Sequence, residues 1–251
     1  MRDDKIDFYN LDNGGGAYIW NENSFKQDRV VKLINELKVL LSANTGMNVL
    51  DIGSGTGDFI HRLSSLFPKH YYYGCDVAIN MIVSNRRTKK DIAWDIEDFN
   101  KTTNYKDHFF DIVVAGEVVE HLYDTDNFFE EVKRILKPGG VLMITTPNLA
   151  SWLDRIMLLC GMQPFSSEVS NKSRKFGREG FYKLIGEDNT ESPSAGHLRC
   201  FTKRALRSVA TFYGFKITKE ISCHVHDFYF NKLITRFFPG MAENIIFIMK
   251  R

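Results

Sequence analysis

Short apolar runs alternate with amphipathic segments through the centre of the chain. Predominantly apolar runs of strand length occur at 47–52, 71–77, 92–96, 109–116 and 141–147. Segments with the helical spacing of apolar residues lie between most of these runs, at 59–67, 78–90 and 126–137. Strands that alternate with helices predict a parallel sheet with helices on both faces.

The alternation stops after Pro147 and resumes near Thr202. One apolar helix is predicted at 151–162, whereas 163–196 is rich in Ser, Gly, Lys and Glu and predicts a long loop or lid. Thr202 is a suitable N-cap for a helix at 203–214. Two further strands are predicted at 214–222 and 243–250, which brings the sheet to seven strands.

These elements predict one α/β domain over residues 1–251, with a Rossmann-like seven-stranded sheet. In chain order we expect an N-terminal lid or helix at 1–40, a cofactor-binding core at 45–147, a substrate-side insertion between the fifth strand and the last helix at 148–200, and a C-terminal helix and strand pair at 201–251. The aromatic segment 8–29, with Tyr18, Trp20 and Arg29, either folds over the site or packs on the outer surface.

The composition narrows the class of protein. Apolar residues make up 43% of the chain, and Lys plus Arg number 33 against 31 Asp plus Glu, for a net charge of +2. This balance disfavours nucleic acid as a partner, because nucleic-acid binders carry basic surfaces. The sequence contains no apolar run near the roughly 20 residues of a spanning helix, no apolar signal core at its start and no CxxC pair among four cysteines. We expect a soluble, cytoplasmic protein.

The segment VLDIGSGTGDF at 49–59 places three glycines at a predicted strand-to-helix turn. The positions of interest are Asp51, Gly53, Ser54, Gly55 and Gly57. Glycine lets backbone N–H groups approach a ligand closely, and the start of the following helix favours negative charge. A dinucleotide-binding loop requires another glycine where this chain has Asp58, so a pyrophosphate ligand is disfavoured.

Two more acidic residues end the next predicted strands. Asp76 ends the second strand, where a carboxylate can accept both hydroxyls of a ribose. Asp95 ends the third strand beside Ile96, where it can accept an adenine amino group. Each residue taken singly is equally well explained as a surface carboxylate. Together with Asp51 they place acids at the carboxyl ends of successive strands, where open α/β sheets bind ligands.

Five motifs, in this order, resemble the class I S-adenosylmethionine-dependent methyltransferases. They are VLDIGSGTGDF, GCD, WDIED, FDIVVAGEVVEHL and LKPGGVLMITTPN. The resemblance implies S-adenosyl-L-methionine as the cofactor and a sheet whose last strand is antiparallel. It further implies that Gly53–Gly57 hold the methionine part, Asp76 the ribose, and Asp95 with Ile96 the adenine. Val77 and Gly116 are the other implied cofactor positions.

The motif GEVVEHL at 116–122 carries the candidate catalytic groups. If a helical turn starts there, Glu117, Glu120 and His121 share one face, and such a set can bind a divalent ion. This motif and the later GHLRCFT are similar to two groups of metal-assisted O-methyltransferases, those of ubiquinone biosynthesis and those that methylate the terminal 2′-hydroxyl of small RNAs. That similarity implies His197 as a fourth ligand and Mg²⁺ or Mn²⁺ as the ion. Two alternatives stay open: His121, with Glu120, acts as a metal-free base, or the motif is structural.

Several acceptors fit these features. The leading hypothesis is O-methylation of a small-molecule or glycan hydroxyl, because the insertion resembles that of bacterial methyltransferases of polysaccharide and natural-product pathways. The alternatives are RNA 2′-O-methylation, which the net charge disfavours, methylation of a quinone precursor with peripheral membrane contact through 151–162, and a cofactor-binding module without catalysis. The basic stretch 171–178 is either a site for an anionic acceptor or a solvated surface.

Overall fold

One mixed seven-stranded sheet organises the computed structural model of the chain, which describes residues 24–184, 194–225 and 229–251. The strands are β1 (Asn48–Ile52), β2 (Tyr71–Asp76), β3 (Ala93–Ile96), β4 (Phe110–Gly116), β5 (Leu136–Pro147), β6 (Lys216–Cys223) and β7 (Asn244–Lys250). Their order is β3-β2-β1-β4-β5-β7-β6. The last strand, β7, runs antiparallel to both of its neighbours, and the pairings among β1 to β5 are parallel, so the predicted fold is confirmed.

Eight α-helices lie in the described residues. They are α1 (Asp28–Ser42), α2 (Asp58–Leu66), α3 (Ile79–Thr88), α4 (Thr125–Ile135), α5 (Trp152–Leu159), α6 (Glu179–Leu184), α7 (Lys203–Phe212) and α8 (Tyr229–Phe237). Five of them, α1 to α4 and α7, contribute side chains to the cores on the two faces of the sheet. The predicted N-cap of α7 is confirmed, because the Ala205 N–H donates to Thr202 Oγ1 at 3.1 Å. Within the described part of the chain, no helix has the length and apolar character needed to cross a membrane.

Two apolar cores explain why the central strands β1, β4, β5 and β7 are largely apolar. Leu50 faces the core that α4 and α7 cover, and its neighbour Val49 faces the core that α1, α2 and α3 cover. Successive strand residues point to opposite faces, so burial of both faces leaves no alternation of polar and apolar residues. Polar side chains are therefore concentrated at the strand ends. Strand β1 lies between β2 and β4, where the strand order of the parallel sheet reverses, and open α/β sheets bind ligands at the carboxyl ends of the strands at such a point.

Several boundaries differ from the predictions. Helix α4 ends at Ile135, and β5 begins at once, so the Pro-Gly-Gly segment lies inside a strand, next to a register shift in the pairing with β4. Helix α5 ends at Leu159, short of the predicted end, and Gly161 follows with φ +68°. The insertion also contains the short helix α6, which its composition did not suggest.

Gly74 provides a direct test of core packing. A Cβ at this position in β2 would lie 2.3 Å from the buried Trp94 ring, so we expect Gly74→Ala to lower the free energy of unfolding by about 1 to 3 kcal/mol. Urea denaturation measures the loss. Gly180→Ala is the control, because a Cβ there meets no atom within 4 Å, and it should leave stability unchanged or slightly raised.

Candidate active site

A cavity of about 380 Å³ opens at the carboxyl ends of β1, β2 and β4. Of the predicted cofactor residues, Asp51, Gly53, Ser54, Gly55, Asp76, Val77 and Gly116 line it. The predicted catalytic and metal-binding residues Glu117, Glu120, His121 and His197 line the same cavity. Residues that are far apart in sequence therefore meet at the edge of the sheet that the strand-end acids indicated.

The glycine loop between β1 and α2 is held open by side chains from two other elements. Asp76 Oδ2 accepts the Gly55 N–H at 2.8 Å, and its Oδ1 accepts the Ala78 N–H at 2.9 Å. From α3, Asn85 donates to the Gly55 carbonyl at 2.9 Å. A Cβ on Gly53, which has φ +67°, would lie 2.6 Å from Val118, so only glycine fits there.

Gly57 does not line the cavity, contrary to its predicted place in the cofactor loop. It adopts φ +75° just before α2, and a Cβ there would lie 2.3 Å from the Trp94 ring. The turn into the helix and this packing both favour glycine at position 57.

Asp95 and Ile96, the predicted adenine position, also lie outside the residues that line the cavity. Strand β3 ends at Ile96, whose side chain is exposed, and the chain turns only after it. Asp98 forms that turn by accepting the Asn100 N–H at 3.0 Å, and both residues line the cavity. The signal in the sequence was Asp98, the last acid of the WDIED motif.

The acids beneath the glycine loop are buried. Burial, and then the neighbouring Asp76 carboxylate, raise the pKa of Asp51 well above its ordinary range. Burial also raises the pKa of Asp76, against the opposing hydrogen bonds from the Ala78 and Gly55 N–H groups. Ser54 Oγ is buried without a hydrogen-bond partner among the described residues. This arrangement fits a ligand that brings both a cationic centre and hydrogen-bonding groups.

The opposite wall of the cavity contains a buried glutamate and two imidazoles. Ligand atoms of Glu120, His121 and His197 lie within 4.8 Å of one another, and the two rings have centroids 5.1 Å apart. Glu120 Oε2 accepts the Thr146 hydroxyl at 3.0 Å, whereas Oε1 is buried without a partner among the described residues. Burial, and then the charge of Glu117, raise the pKa of Glu120 well above its ordinary range.

Each imidazole is oriented by a backbone carbonyl. His121 Nδ1 lies 3.2 Å from the Gly196 carbonyl oxygen, and His197 Nδ1 lies 3.2 Å from that of Ser166. A carbonyl oxygen only accepts hydrogen bonds, so we assign the proton of each neutral ring to Nδ1. This tautomer leaves Nε2 as the basic nitrogen of each ring.

Glu117 does not join this group, although the predicted helical turn would have placed it there. It has φ +57°, and the short 3-10 helix begins only at Val119. Its carboxylate accepts hydrogen bonds from Thr145 Oγ1 at 2.8 Å and Asn244 Nδ2 at 3.1 Å, and lies 3.5 Å from Arg29. The structure thus brings together three of the four predicted metal ligands.

The basic stretch in the insertion contributes a buried arginine. Arg178 is 1% exposed and donates to the backbone carbonyls of Gln163, Pro164, Ser167 and Arg174. The Arg178 guanidinium thus donates its hydrogen bonds to carbonyl groups within the insertion, which weakens the interpretation of 171–178 as an anion site. Tyr18 and Trp20 of the predicted N-terminal lid lie outside the described residues, whereas Arg29 lines the cavity.

Comparisons with known proteins agree with this architecture. A family model described as "Methyltransferase domain" matches residues 43–193. The mitochondrial ubiquinone biosynthesis O-methyltransferase of Rattus norvegicus is 35% identical over 155 residues, which cover 59% of this chain and 43% of that protein. Phosphoethanolamine N-methyltransferase 1 of Zea mays is 29% identical over 160 residues, which cover 60% and 31%.

The solved structures agree on the fold. A SAM-dependent methyltransferase from Aquifex aeolicus superposes with a TM-score of 0.56 at 15% identity, covering 100% of this chain and 98% of that one. The chain spans less than half the length of the rat and maize relatives, and those two proteins are named for different acceptor atoms.

Substitution of the strand-end acids tests the cofactor side. We expect Asp76→Ala to weaken binding of S-adenosylhomocysteine by about 1.5 to 3 kcal/mol, the range for hydrogen bonds to a charged group. Asp98→Ala should weaken it as well, because Asp98 lines the cavity. Calorimetric titration measures both losses. Asp95→Ala is the matched control. A loss of S-adenosylhomocysteine affinity as large as that in Asp98→Ala would assign the adenine end to Asp95, as the family resemblance implies.

The raised pKa of Glu120 predicts the sign of a pH effect on stability. A carboxyl whose pKa is raised on folding contributes stability below its ordinary pKa and loses that contribution as the pH rises through the raised value. We therefore expect Glu120→Gln to increase the free energy of unfolding at neutral pH and to have little effect near pH 4. Urea denaturation across this range provides the measurement.

Glu131→Gln should show the opposite sign. Burial alone would raise the pKa of Glu131, but the hydrogen bonds from Arg134 and Thr103 outweigh it and lower the pKa. The ionised carboxylate stabilises the fold at neutral pH, so this variant should be less stable there, with a smaller loss in acid. Equal pH dependence of the two variants would contradict the assignment of Glu120.

Proposed function

Because the chain belongs to the class I S-adenosylmethionine-dependent methyltransferases, we propose that it methylates a hydroxyl of a small-molecule or glycan acceptor. The observation that carries this proposal is the buried Glu120 beside His121 in the wall that faces the glycine loop. A hydroxyl is a weak nucleophile until a base takes its proton, and this wall supplies such a base.

The donor is bound by the glycine loop and the strand-end acids. When bound, S-adenosylmethionine supplies an electrophilic methyl group on a sulfonium. Asp51 and Asp76 lower the electrostatic cost of that positive charge. The Gly55 and Ala78 N–H groups occupy two of the about four lone-pair sites of the Asp76 carboxylate, which therefore has acceptor capacity left for ribose hydroxyls. Asp98 and Asn100 provide polar groups for the adenine end.

His121 is the proposed base. Its Nδ1 donates to the Gly196 carbonyl, so Nε2 takes the proton of the acceptor hydroxyl. The new O–CH₃ bond then forms as the S–CH₃ bond breaks, which leaves S-adenosylhomocysteine. Glu120, with a carboxyl oxygen within 4.8 Å of a His121 ring nitrogen, stabilises the imidazolium electrostatically. The chain otherwise holds the two reactants in line.

A second candidate is metal-assisted methylation, as the resemblance to the ubiquinone group implies. The observation that favours it is the three-residue group Glu120, His121 and His197, in which Glu120 Oε1 is a buried oxygen without a partner in the described part of the chain. An ion held there would polarise the acceptor hydroxyl. Two imidazoles and one carboxylate suit Mn²⁺ better than Mg²⁺, which prefers oxygen ligands.

His121→Ala tests the proposed base. We expect turnover, measured as S-adenosylhomocysteine released with a panel of sugars, phenols and catechols, to fall by about 10² to 10⁴. Binding of S-adenosylhomocysteine should change little, since the donor is held by the opposite wall. His61→Ala is the control, because His61 lies on α2 outside the cavity lining. Full turnover in His121→Ala would refute the assignment.

The metal is tested separately by titrating chelator-treated protein with Mn²⁺ and Mg²⁺. Binding that disappears in His197→Ala, together with metal-dependent turnover, would establish the second candidate. Full turnover in the chelated protein would exclude it and leave the metal-free base.

A further inference from the structure

Glu168 in the insertion holds the segment 194–197, which carries His197 into the cavity. Its Oε1 accepts the Ala195 N–H at 2.9 Å. Its Oε2 accepts the N–H groups of Gly196 at 2.8 Å and His197 at 3.1 Å, and the Ser194 hydroxyl at 2.7 Å. Three consecutive backbone donors thus converge on one carboxylate, which is the main anchor of a segment outside regular secondary structure.

Both imidazoles of the active site depend on this segment. His197 belongs to it, and His121 Nδ1 lies 3.2 Å from the carbonyl oxygen of Gly196. On its other side the segment is fixed to the catalytic motif, since the N–H groups of Leu198 and Arg199 donate to the Glu120 backbone carbonyl at 2.8 and 3.0 Å. Glu168 therefore helps to fix the backbone around Glu120, His121 and His197.

The partner of the second imidazole is also fixed. His197 Nδ1 lies against the Ser166 carbonyl, and the Ser166 hydroxyl donates to Asp154 Oδ2 of α5 at 2.6 Å. Residues 166 and 168 belong to one loop, so the same loop holds the backbone and the ring of His197.

The hydrogen bonds that Glu168 accepts favour the ionised form of its carboxyl. Burial alone would raise the pKa of Glu168, but the hydrogen bonds from Ala195, Ser194 and His197 outweigh it and hold the pKa below its usual value. Hydrogen bonds to an ionised acceptor are stronger than neutral ones, which suits an anchor without secondary structure around it.

We propose that Glu168 is a positioning residue, whose carboxylate orients His197 directly and His121 through the Gly196 carbonyl, so that both rings face Glu120. This inference rests on the proposed function, in which these rings act on the acceptor. Glu168 does not line the cavity itself, so its effect on turnover is exerted through the two histidines.

Glu168→Gln tests the proposal, because an amide has a single acceptor oxygen for the donors that now share two. With an accepted hydroxyl substrate, we expect kcat to fall about 10- to 100-fold, as for other groups that orient catalytic side chains. The KM for S-adenosylmethionine should change less than about threefold, since the donor is bound by the glycine loop. Glu131→Gln, which also removes a hydrogen-bonded carboxylate but lies outside the cavity lining, is the control for general destabilisation.

A second readout does not need activity. In protein labelled with ¹³C-histidine, and with signals assigned from His121→Ala and His197→Ala, the His197 and His121 ring signals should shift in Glu168→Gln and stay in place in Glu131→Gln. Unchanged ring signals, or a kcat loss no larger than in the control, would overturn the proposal. If the wild-type protein methylates no hydroxyl, the proposed function fails, while the ring signals still decide whether Glu168 orients the histidines.

Ser194→Ala covers the case in which Glu168→Gln does not fold. It removes one donor to Glu168 and keeps the charge, so the same signals should shift by a smaller amount. If the histidine ring signals stay in place in Ser194→Ala, the Glu168 carboxylate does not anchor the segment and the proposal is wrong.

Discussion

The burial of carboxylates at the ends of apolar strands is the constraint on which the site depends. Asp51 and Glu120 are 5% and 2% exposed, and each has another acid nearby. Burying an ionised carboxylate without a partner costs free energy, which the well-packed cores on both faces of the sheet must offset. An arrangement that is unfavourable for stability and points into a cavity is typical of a functional site. Here it occurs on both walls, beneath the glycine loop and in the wall of the imidazoles.

The two walls are built in different ways. The wall beneath the glycine loop uses residues close in sequence to the central strands, and Asn85 and Trp94 shape its loop by contact with glycines. The wall of the two imidazoles combines the turn after β4 with a segment 75 residues further along the chain, joined by the His121 to Gly196 contact. Cofactor binding can therefore stay constant among related proteins while the acceptor changes, as the different acceptor atoms in the names of the rat and maize relatives illustrate.

Charged groups order the insertion where regular hydrogen-bond ladders are absent. Arg178 donates to backbone carbonyls, while Asp154 and Glu168 accept from backbone N–H groups, so each of these three side chains is hydrogen-bonded to the main chain. Charge-assisted hydrogen bonds of this kind order the insertion, although its sequence lacks the apolar periodicity by which an ordered segment is normally recognised. They allow a polar stretch of chain to form one wall of the cavity.

The sequence by itself determined the seven-stranded α/β fold, the N-cap of α7 and the carboxyl ends of β1 and β2 as the ligand edge, because these follow from local periodicity and from turn chemistry. Tertiary structure decided the rest. The turn after β3 brings Asp98 rather than Asp95 to the cavity, since its geometry depends on where the pairing with β2 ends. Arg29 and Asn244 contact the Glu117 carboxylate, which lies outside the group of Glu120, His121 and His197, and Glu168 holds the backbone of His197, through contacts between residues far apart in the chain. A single sequence carries no periodic signal for such contacts, because they are set by packing of whole elements and not by the spacing of neighbouring residues.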